Sequence, residues 1–232
     1  MTDKYQYVSD NLAAIKSNIA DAAAKCGRAP EDIRIMAVTK TVAPEIVNYA
    51  VSLGVALLGE NRAQEFMSKQ EAYDKSAEIH FIGGLQTNKV KYIIEPMTMI
   101  QSVDSFKLAQ EINRLAGVHN KTMDILCEVN IGGEDSKSGV APDGLIPLLE
   151  QISQLECVRV KGLMTIPPPS SSDVFLGRME ELFQNIKSRN IQGIAMETLS
   201  MGMTHDYAEA VKHGSTLVRI GTGLFGARDY SR

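Results

Sequence analysis

The residue best suited to covalent chemistry in this chain is Lys40, which ends the mostly apolar run of residues 35–40. That run predicts a β-strand, and Pro44 opens a helical pattern soon after it, as in a parallel βα unit. Lys40 would then stand at the carboxyl end of the strand, where parallel α/β proteins bind ligands. An ammonium held there against apolar walls has a lowered pKa, and the free amine can form a Schiff base. Taken alone, the run favours a lysine whose amine simply reaches water, so the rest of the chain must decide.

Two segments rich in glycine and hydroxyl groups suit the binding of a phosphate. Residues 200–204 and 221–223 each follow an apolar run, and in a (β/α)8 barrel the last two loops are the usual phosphate site. Glycine lets backbone N–H groups approach an anion, and nearby hydroxyls add donors. The groups concerned are Ser200, Thr204, Gly221 and Thr222. Each segment alone would be interpreted as a tight turn, but together with Lys40 they favour a carbonyl compound that carries phosphate.

Charged residues near these segments offer further candidates. Arg219 interrupts an apolar run directly before the second glycine segment, which favours a ligand clamp over a surface cation. Glu60 and Asp104 are the candidates for acid–base work, although helix capping is the expected role of Asp104, and orientation of a neighbouring group that of Glu60. The four histidines have no metal-ligand spacing, and no GxSxG or P-loop motif is present. No metal site is therefore expected.

Composition sets the class of protein. The 232 residues suit one large domain, and a hydrophobic content of 44% supplies a sizeable core. With 24 basic and 28 acidic residues and no basic run, nucleic acid and membranes are not expected partners. No apolar run is long enough to span a membrane, and the N-terminus is too polar for a signal peptide. The three cysteines are widely spaced without a CxxC pair, which indicates a reducing, cytoplasmic location.

The order of patterns predicts the fold. Apolar residues from Val8 to Cys26 fall on one stripe of a leading helix, which Gly27 and Pro30 end. Eight apolar runs then alternate with helical patterns, which is typical of a (β/α)8 TIM barrel with an extra N-terminal helix. The runs are residues 35–40, 55–58, 79–82, 97–100, 123–129, 158–164, 193–199 and 216–220. An open doubly wound sheet is the alternative, but it would more often carry a GxGxxG turn, which is missing.

Eight segments, in the same order along the chain, resemble the pyridoxal-phosphate homeostasis proteins, the YggS/PROSC group. They are IMAVTK, GENRAQE, HFIGGLQTNK, SVDS, KSG, GLMTI, LSMGMTHDY and VRIGTGLFG. The resemblance implies one domain over residues 1–232, a fold-type III barrel of the alanine racemase N-terminal type with residues 1–28 as a leading helix packed on it. It also implies that pyridoxal 5′-phosphate (PLP) is held as a Schiff base on Lys40.

The same resemblance implies roles for the remaining candidate residues. Ser200, Thr204, Gly221 and Thr222 would hold the phosphate, Arg219 would face the pyridine nitrogen, and Asn61 and Met164 would lie beside the ring. A guanidinium cannot accept a hydrogen bond, so the nitrogen beside Arg219 would stay unprotonated. PLP would then be a poor electron sink, which disfavours transamination-like chemistry.

Three functions remain open. The first is a non-catalytic PLP carrier or regulator, with amino acids as further candidate ligands, acting as a monomer or weak dimer. The second is an amino-acid racemase, but similar racemases carry a second domain that supplies a tyrosine, and this sequence ends at Arg232. The third is a lysine Schiff-base aldolase acting on a phosphosugar without PLP, which would need an acid–base group that the sequence does not single out. The resemblance favours the first.

Overall fold

Eight parallel strands close into one barrel in chain order, so that β1 lies beside both β2 and β8. The computed structural model describes residues 4–134, 136–169 and 172–227. The strands are β1 Arg34–Val38, β2 Leu57–Glu60, β3 Glu78–Phe81, β4 Met99–Val103, β5 Met123–Glu128, β6 Val158–Met164, β7 Ile194–Ser200 and β8 Leu217–Ile220. The predicted (β/α)8 barrel is confirmed.

Helices cover the outside of the barrel and precede it. They are α1 Gln6–Lys25, α2 Pro44–Ser52, α3 Ala63–Lys69, α4 Phe106–Val118, α5 Leu145–Ile152, α6 Ser172–Ser188, α7 Tyr207–Lys212 and α8 Thr222–Phe225. Between β3 and β4 the chain forms a 3₁₀ helix, Thr87–Tyr92, in place of an α-helix. Further short 3₁₀ turns are Pro30–Asp32, Gln70–Ala72 and Pro142–Gly144.

Two strands begin two residues later than their apolar runs predict, and β7 and β8 begin one residue later. β2 starts at Leu57 although Val55 is already buried, and β4 starts at Met99 although Met97 is fully buried. Both early residues lie in the segments that lead into the barrel, where they pack under the strands without joining the hydrogen-bonded ladder. An apolar run reports burial, and burial extends beyond the paired residues.

The leading helix α1 packs on the outside of the last βα units. Its predicted apolar stripe is buried at Val8, Leu12, Ile15 and Ile19, whereas Cys26 at the end of the stripe is exposed. Polar contacts also bind this segment to the barrel: Asn11 Nδ2 donates to Leu224 O at 3.0 Å, and Asn18 Nδ2 to Tyr207 OH at 2.8 Å. The helix thereby supports α7 and α8, next to the predicted phosphate loops.

Alternation along the strands decides which side chains enter the barrel. One interior apolar cluster consists of Met36, Val38, Leu57, Ile82 and Leu217, and another of Met99, Leu126 and Met164. Met36 and Val38 face inward by this alternation, and Lys40 lies in the turn that follows the carboxyl end of β1. None of the described helices combines the length and apolar character that a membrane crossing requires.

Candidate functional site

Lys40 lies in a turn directly after β1 and is half-buried. The preceding residue, Thr39, is fully buried and donates its hydroxyl to Glu60 Oε1 at 2.6 Å. Tyr73 OH donates to the same oxygen, also at 2.6 Å. Burial raises the pKa of Glu60, and these two hydrogen bonds partly offset that effect. Glu60 therefore points away from the barrel mouth, toward Tyr73. Its hydrogen bond to Thr39 is compatible with the expected role of orienting a neighbouring group.

The second glycine segment and Thr204 form one compact turn beside β1. Gly223 N–H donates to Thr204 Oγ1 at 3.1 Å, and the hydroxyls of Thr222 and Thr204 are 3.4 Å apart. A Cβ atom on Gly223 would lie 2.9 Å from Thr204 Cγ2, so this approach requires glycine. A Cβ atom on Gly221 would lie 3.6 Å from that of Val38, two residues before Lys40. The predicted phosphate residues Thr204, Gly221 and Thr222 are thus neighbours, next to the strand that leads to Lys40.

Ser200 belongs to a different group of contacts, together with Arg219. Arg219 is 3% exposed and donates to Ser200 Oγ at 2.6 Å and to Thr165 O at 2.8 Å. The Ser200 hydroxyl in turn donates to Gln101 Oε1 at 2.7 Å. Its single proton is therefore directed away from the Thr204 turn, and the assignment of Ser200 to phosphate stays a prediction.

The same hydrogen bonds continue into the barrel floor through two residues that the sequence did not single out as site residues. Gln101 Nε2 lies 2.9 Å from His80 Nδ1. Burial, with a contribution from the charge of Arg34, lowers the pKa of His80 to about 3, so the imidazole is neutral and Nδ1 can accept. The network His80–Gln101–Ser200–Arg219 fixes the direction of the guanidinium. The signal in the sequence is a polar residue at an inward position of an otherwise apolar strand.

Asn61 and Met164 occupy different levels of the mouth. Asn61 is half-buried, and its Oδ1 atom is buried with no hydrogen-bond partner among the described residues. Met164 is fully buried in a cluster with Met99 and Leu126, and as the last residue of β6 it pairs with Glu128 at the carboxyl end of β5. A buried amide oxygen without a partner is costly unless a ligand or water satisfies it. Asn61 Oδ1 thus marks a place where a polar group of a ligand fits.

Two cavities open at this rim and share Asn61. The larger, of about 700 Å³, is lined by Phe81, Leu85, Lys89 and Asp104 among others. The smaller, of about 240 Å³, lies over Glu128 and Lys137. The capping role expected for Asp104 is wrong: Ser105 is the N-cap of α4, it makes no side-chain cap bond, and Asp104 faces the larger cavity instead.

Glu128, at the end of β5, is the second carboxylate of this rim. It is not predicted as a site residue from the sequence, because it lies within the apolar run of residues 123–129. It is 7% exposed, and burial raises its pKa to about 7, with Asp104 adding to the rise and Arg219 opposing it. Burial lowers the pKa of Arg219 to about 10, so the guanidinium remains charged at neutral pH. The mouth of the barrel therefore contains a buried cation and a carboxyl group that titrates near neutrality.

A Glu128→Gln variant is expected to change the pH dependence of stability. Because the pKa of Glu128 is raised from 4.5 to about 7, folding favours the protonated form, and wild-type stability falls as pH rises through this window. The neutral amide avoids that loss, so the variant should gain on the order of 3 kcal/mol at most relative to wild type between pH 5 and pH 8. Urea unfolding at both pH values measures the difference, with the exposed Glu150→Gln as control. Parallel pH curves for Glu128→Gln and wild type would contradict the assignment.

The chemistry of these groups fits PLP. The turn at Thr204 and Gly221, with its glycine and hydroxyl groups, can bind a phosphate, and the amine of Lys40 can react with an aldehyde. The buried cation Arg219 suits an unprotonated pyridine nitrogen, and Asn61 Oδ1 can accept from a polar substituent. Among the described residues, no group of histidine, cysteine and carboxylate side chains is suited to hold a metal ion.

Comparison with known proteins identifies the family of this chain. The family model for the N-terminal domain of alanine racemase matches residues 11–229. A pyridoxal phosphate homeostasis protein from Aquifex aeolicus is 41% identical over 226 residues, which cover 95% of this chain and 98% of that protein. Its counterpart from Pasteurella multocida is 38% identical over 232 residues, covering 97% and 99%.

A solved structure extends the similarity to the fold. PipY of Synechococcus elongatus PCC7942, in its structure with PLP bound, superposes with a TM-score of 0.83 at 29% identity, covering 94% of this chain and 100% of that one. The resemblance inferred from the eight sequence segments is confirmed. This chain belongs to the pyridoxal phosphate homeostasis protein family, whose barrel is of the alanine racemase N-terminal type.

Proposed function

We propose that this protein binds PLP as a Schiff base on Lys40 and acts in PLP homeostasis as a carrier or regulator without catalytic turnover. The observation that supports the proposal is that the turn of Thr204, Gly221 and Thr222 lies beside Val38, two residues before Lys40, and that the buried Arg219 lies in β8, which pairs with β1. The relatives named as homeostasis proteins, and PipY with PLP bound, support it.

PLP supplies an aldehyde that condenses reversibly with a primary amine, forming a C=N bond and releasing water. In this chain the amine is that of Lys40, and its turn is fixed at Thr39 by Glu60. The N–H groups and hydroxyls of the Thr204 turn would hold the phosphate, while Asn61 Oδ1 would accept from a polar group of the ring. The roles of Ser200 and Met164 are retained from the resemblance.

Arg219 supports the non-catalytic part of the proposal. Its guanidinium is charged at neutral pH and is held by Ser200 and Thr165, so it can only donate. A pyridine nitrogen facing it stays unprotonated and withdraws fewer electrons, which slows transamination-like reactions. The site thus favours storage and release of the aldehyde over its use in transamination.

Amino acids, oligomeric state and location form the finer part of the proposal. Amines that displace Lys40 would release PLP, which makes amino acids the expected second ligands at the rim cavities. We infer a monomer or weak dimer. A reducing, cytoplasmic location is supported by three free cysteines, of which Cys127 is buried, Cys157 half-buried and Cys26 exposed.

The test compares PLP with pyridoxine 5′-phosphate, which keeps the ring and phosphate but has an alcohol in place of the aldehyde. We expect wild type to bind PLP at least about ten-fold more tightly, because only PLP can bond to Lys40. Incubation of the loaded protein with L-alanine should leave the L-enantiomer and the cofactor form unchanged. Equal affinities would contradict the covalent role, and steady racemisation or transamination would contradict the carrier role.

A further inference from the structure

An ion pair of α3, formed by Glu65 and Lys69, contacts the backbone on both sides of Lys40. The peptide unit before Lys40 contains Thr39 C=O, to which Lys69 Nζ donates at 3.4 Å. The peptide unit after Lys40 contains Thr41 N–H, which donates to Glu65 Oε1 at 2.6 Å. Glu65 and Lys69 also bind each other. Because peptide units are planar, the two contacts together restrain φ and ψ of Lys40 and hence the direction in which its side chain leaves the backbone.

The turn needs such support because its backbone is unusual. Thr41 has φ +63°, a left-handed conformation that a β-branched residue rarely adopts. Within the turn, Val42 N–H donates to Thr39 O at 3.0 Å. Strained residues persist where their surroundings hold them, and they cluster at functional sites. Thr41, the strained residue, is itself the donor of the hydrogen bond to Glu65.

The ion pair is protected from solvent. The side chains of Glu65 and Lys69 are 18% and 15% exposed. Burial acts to raise the pKa of Glu65, but hydrogen bonds from Lys69 and Thr41 outweigh it, so the pKa is lowered and the carboxylate stays ionised at neutral pH. A second pair farther along, Glu71 and Lys75, has the same residue types and spacing, but its side chains are 89% and 72% exposed.

We propose that Glu65 and Lys69 are positioning residues that aim the Lys40 amine at the aldehyde of the bound cofactor. The inference rests on the function proposed above. Condensation requires the amine and the aldehyde carbon in a narrow range of geometries, and a displaced side chain reaches it less often. Phosphate recognition depends on the loops after β7 and β8, so it should not depend on this pair.

The test uses Glu65→Ala and Lys69→Ala, with Glu71→Ala and Lys75→Ala as matched controls. The rate of appearance of the borohydride-sensitive absorption band after addition of PLP reports condensation, and the affinity for pyridoxine 5′-phosphate reports ring and phosphate recognition. We expect Glu65→Ala to slow condensation about ten-fold or more, with unchanged affinity for the alcohol. Lys69→Ala should have a smaller effect, since its bond to Thr39 is longer. Glu65→Gln, which keeps an acceptor for Thr41 N–H, should recover part of the rate.

The outcomes separate three cases. Wild-type condensation rates in both variants would overturn the positioning role. An equal loss of affinity for PLP and for the alcohol, with a lowered melting temperature, would reduce the pair to a structural role and overturn it as well. If wild type itself shows no preference for PLP over the alcohol, the proposed function fails, and the positioning role fails with it.

Discussion

An Arg219→Gln variant is expected to be about 3 kcal/mol less stable than wild type, because the shorter amide cannot replace both buried contacts of the guanidinium. Arg219 donates to Ser200 Oγ and to Thr165 O, and it is 3% exposed. Urea unfolding measures the loss. Arg159→Gln is the control, since Arg159 pairs with Asp124 at 2.8 Å but is 60% exposed, and its loss should cost less than about 1 kcal/mol. Equal losses in the two variants would contradict the buried role of Arg219.

The same variant should change two further properties of the barrel mouth. Arg219 lowers the pKa of Glu128, so its removal should raise that pKa above about 7 and move the pH dependence of stability upward. The amide oxygen of glutamine can also accept a hydrogen bond, which a guanidinium cannot. A protonated pyridine nitrogen would then be tolerated, and slow conversion of L-alanine and PLP to pyruvate and pyridoxamine 5′-phosphate is expected. An unchanged pH profile would show that Glu128 and Arg219 do not interact.

Lys40→Ala is expected to remove the covalent part of PLP binding. Affinity for PLP should fall at least about ten-fold, to that for pyridoxine 5′-phosphate, whose own affinity should be unchanged. Because Lys40 is half-buried and lies in a turn after the strand, the fold should persist. Lys89→Ala and Lys137→Ala are the controls, since both lysines line the rim cavities. A Lys40→Ala protein that still prefers the aldehyde would contradict the assignment.

The fold was predictable because the barrel repeats one simple pattern. Eight apolar runs with helical patterns between them give the topology, and Pro44 marks the start of α2 correctly. The 3₁₀ helix after β3 could not be inferred, since a short helix of either kind leaves the same apolar pattern. The shifts at β2 and β4 have a related cause, because Val55 and Met97 are buried without pairing.

The predicted site residues are those whose position in the chain places them at strand ends. Lys40, Thr204 and Gly221 follow β1, β7 and β8 in the chain, and Arg219 lies within β8, where it pairs with Met36 of β1. Gln101, His80 and Glu128 were not predicted as site residues because His80 and Glu128 lie within apolar runs and Gln101 directly follows one, where one polar residue does not reveal its partners. Their roles depend on contacts between strands far apart in sequence, such as Ser200 with Gln101.

The contacts of Glu65 and Lys69 were not predicted from the sequence for a similar reason. Both occupy a helix surface at a spacing typical of an ordinary salt bridge. Only the packing of α3 against the turn after β1 shows that they bind the backbone on either side of Lys40. Sequence thus predicts the reactive residue, whereas the residues proposed to orient it follow from the three-dimensional arrangement.

The most direct test of the central claim is the identity of the lysine that bonds to PLP. Wild-type protein would be loaded with PLP, reduced with borohydride, digested and analysed by peptide mass spectrometry. We expect the phosphopyridoxyl group on the peptide that contains Lys40. A label on the Lys89 or Lys137 peptide, or no label on any peptide, would contradict the account.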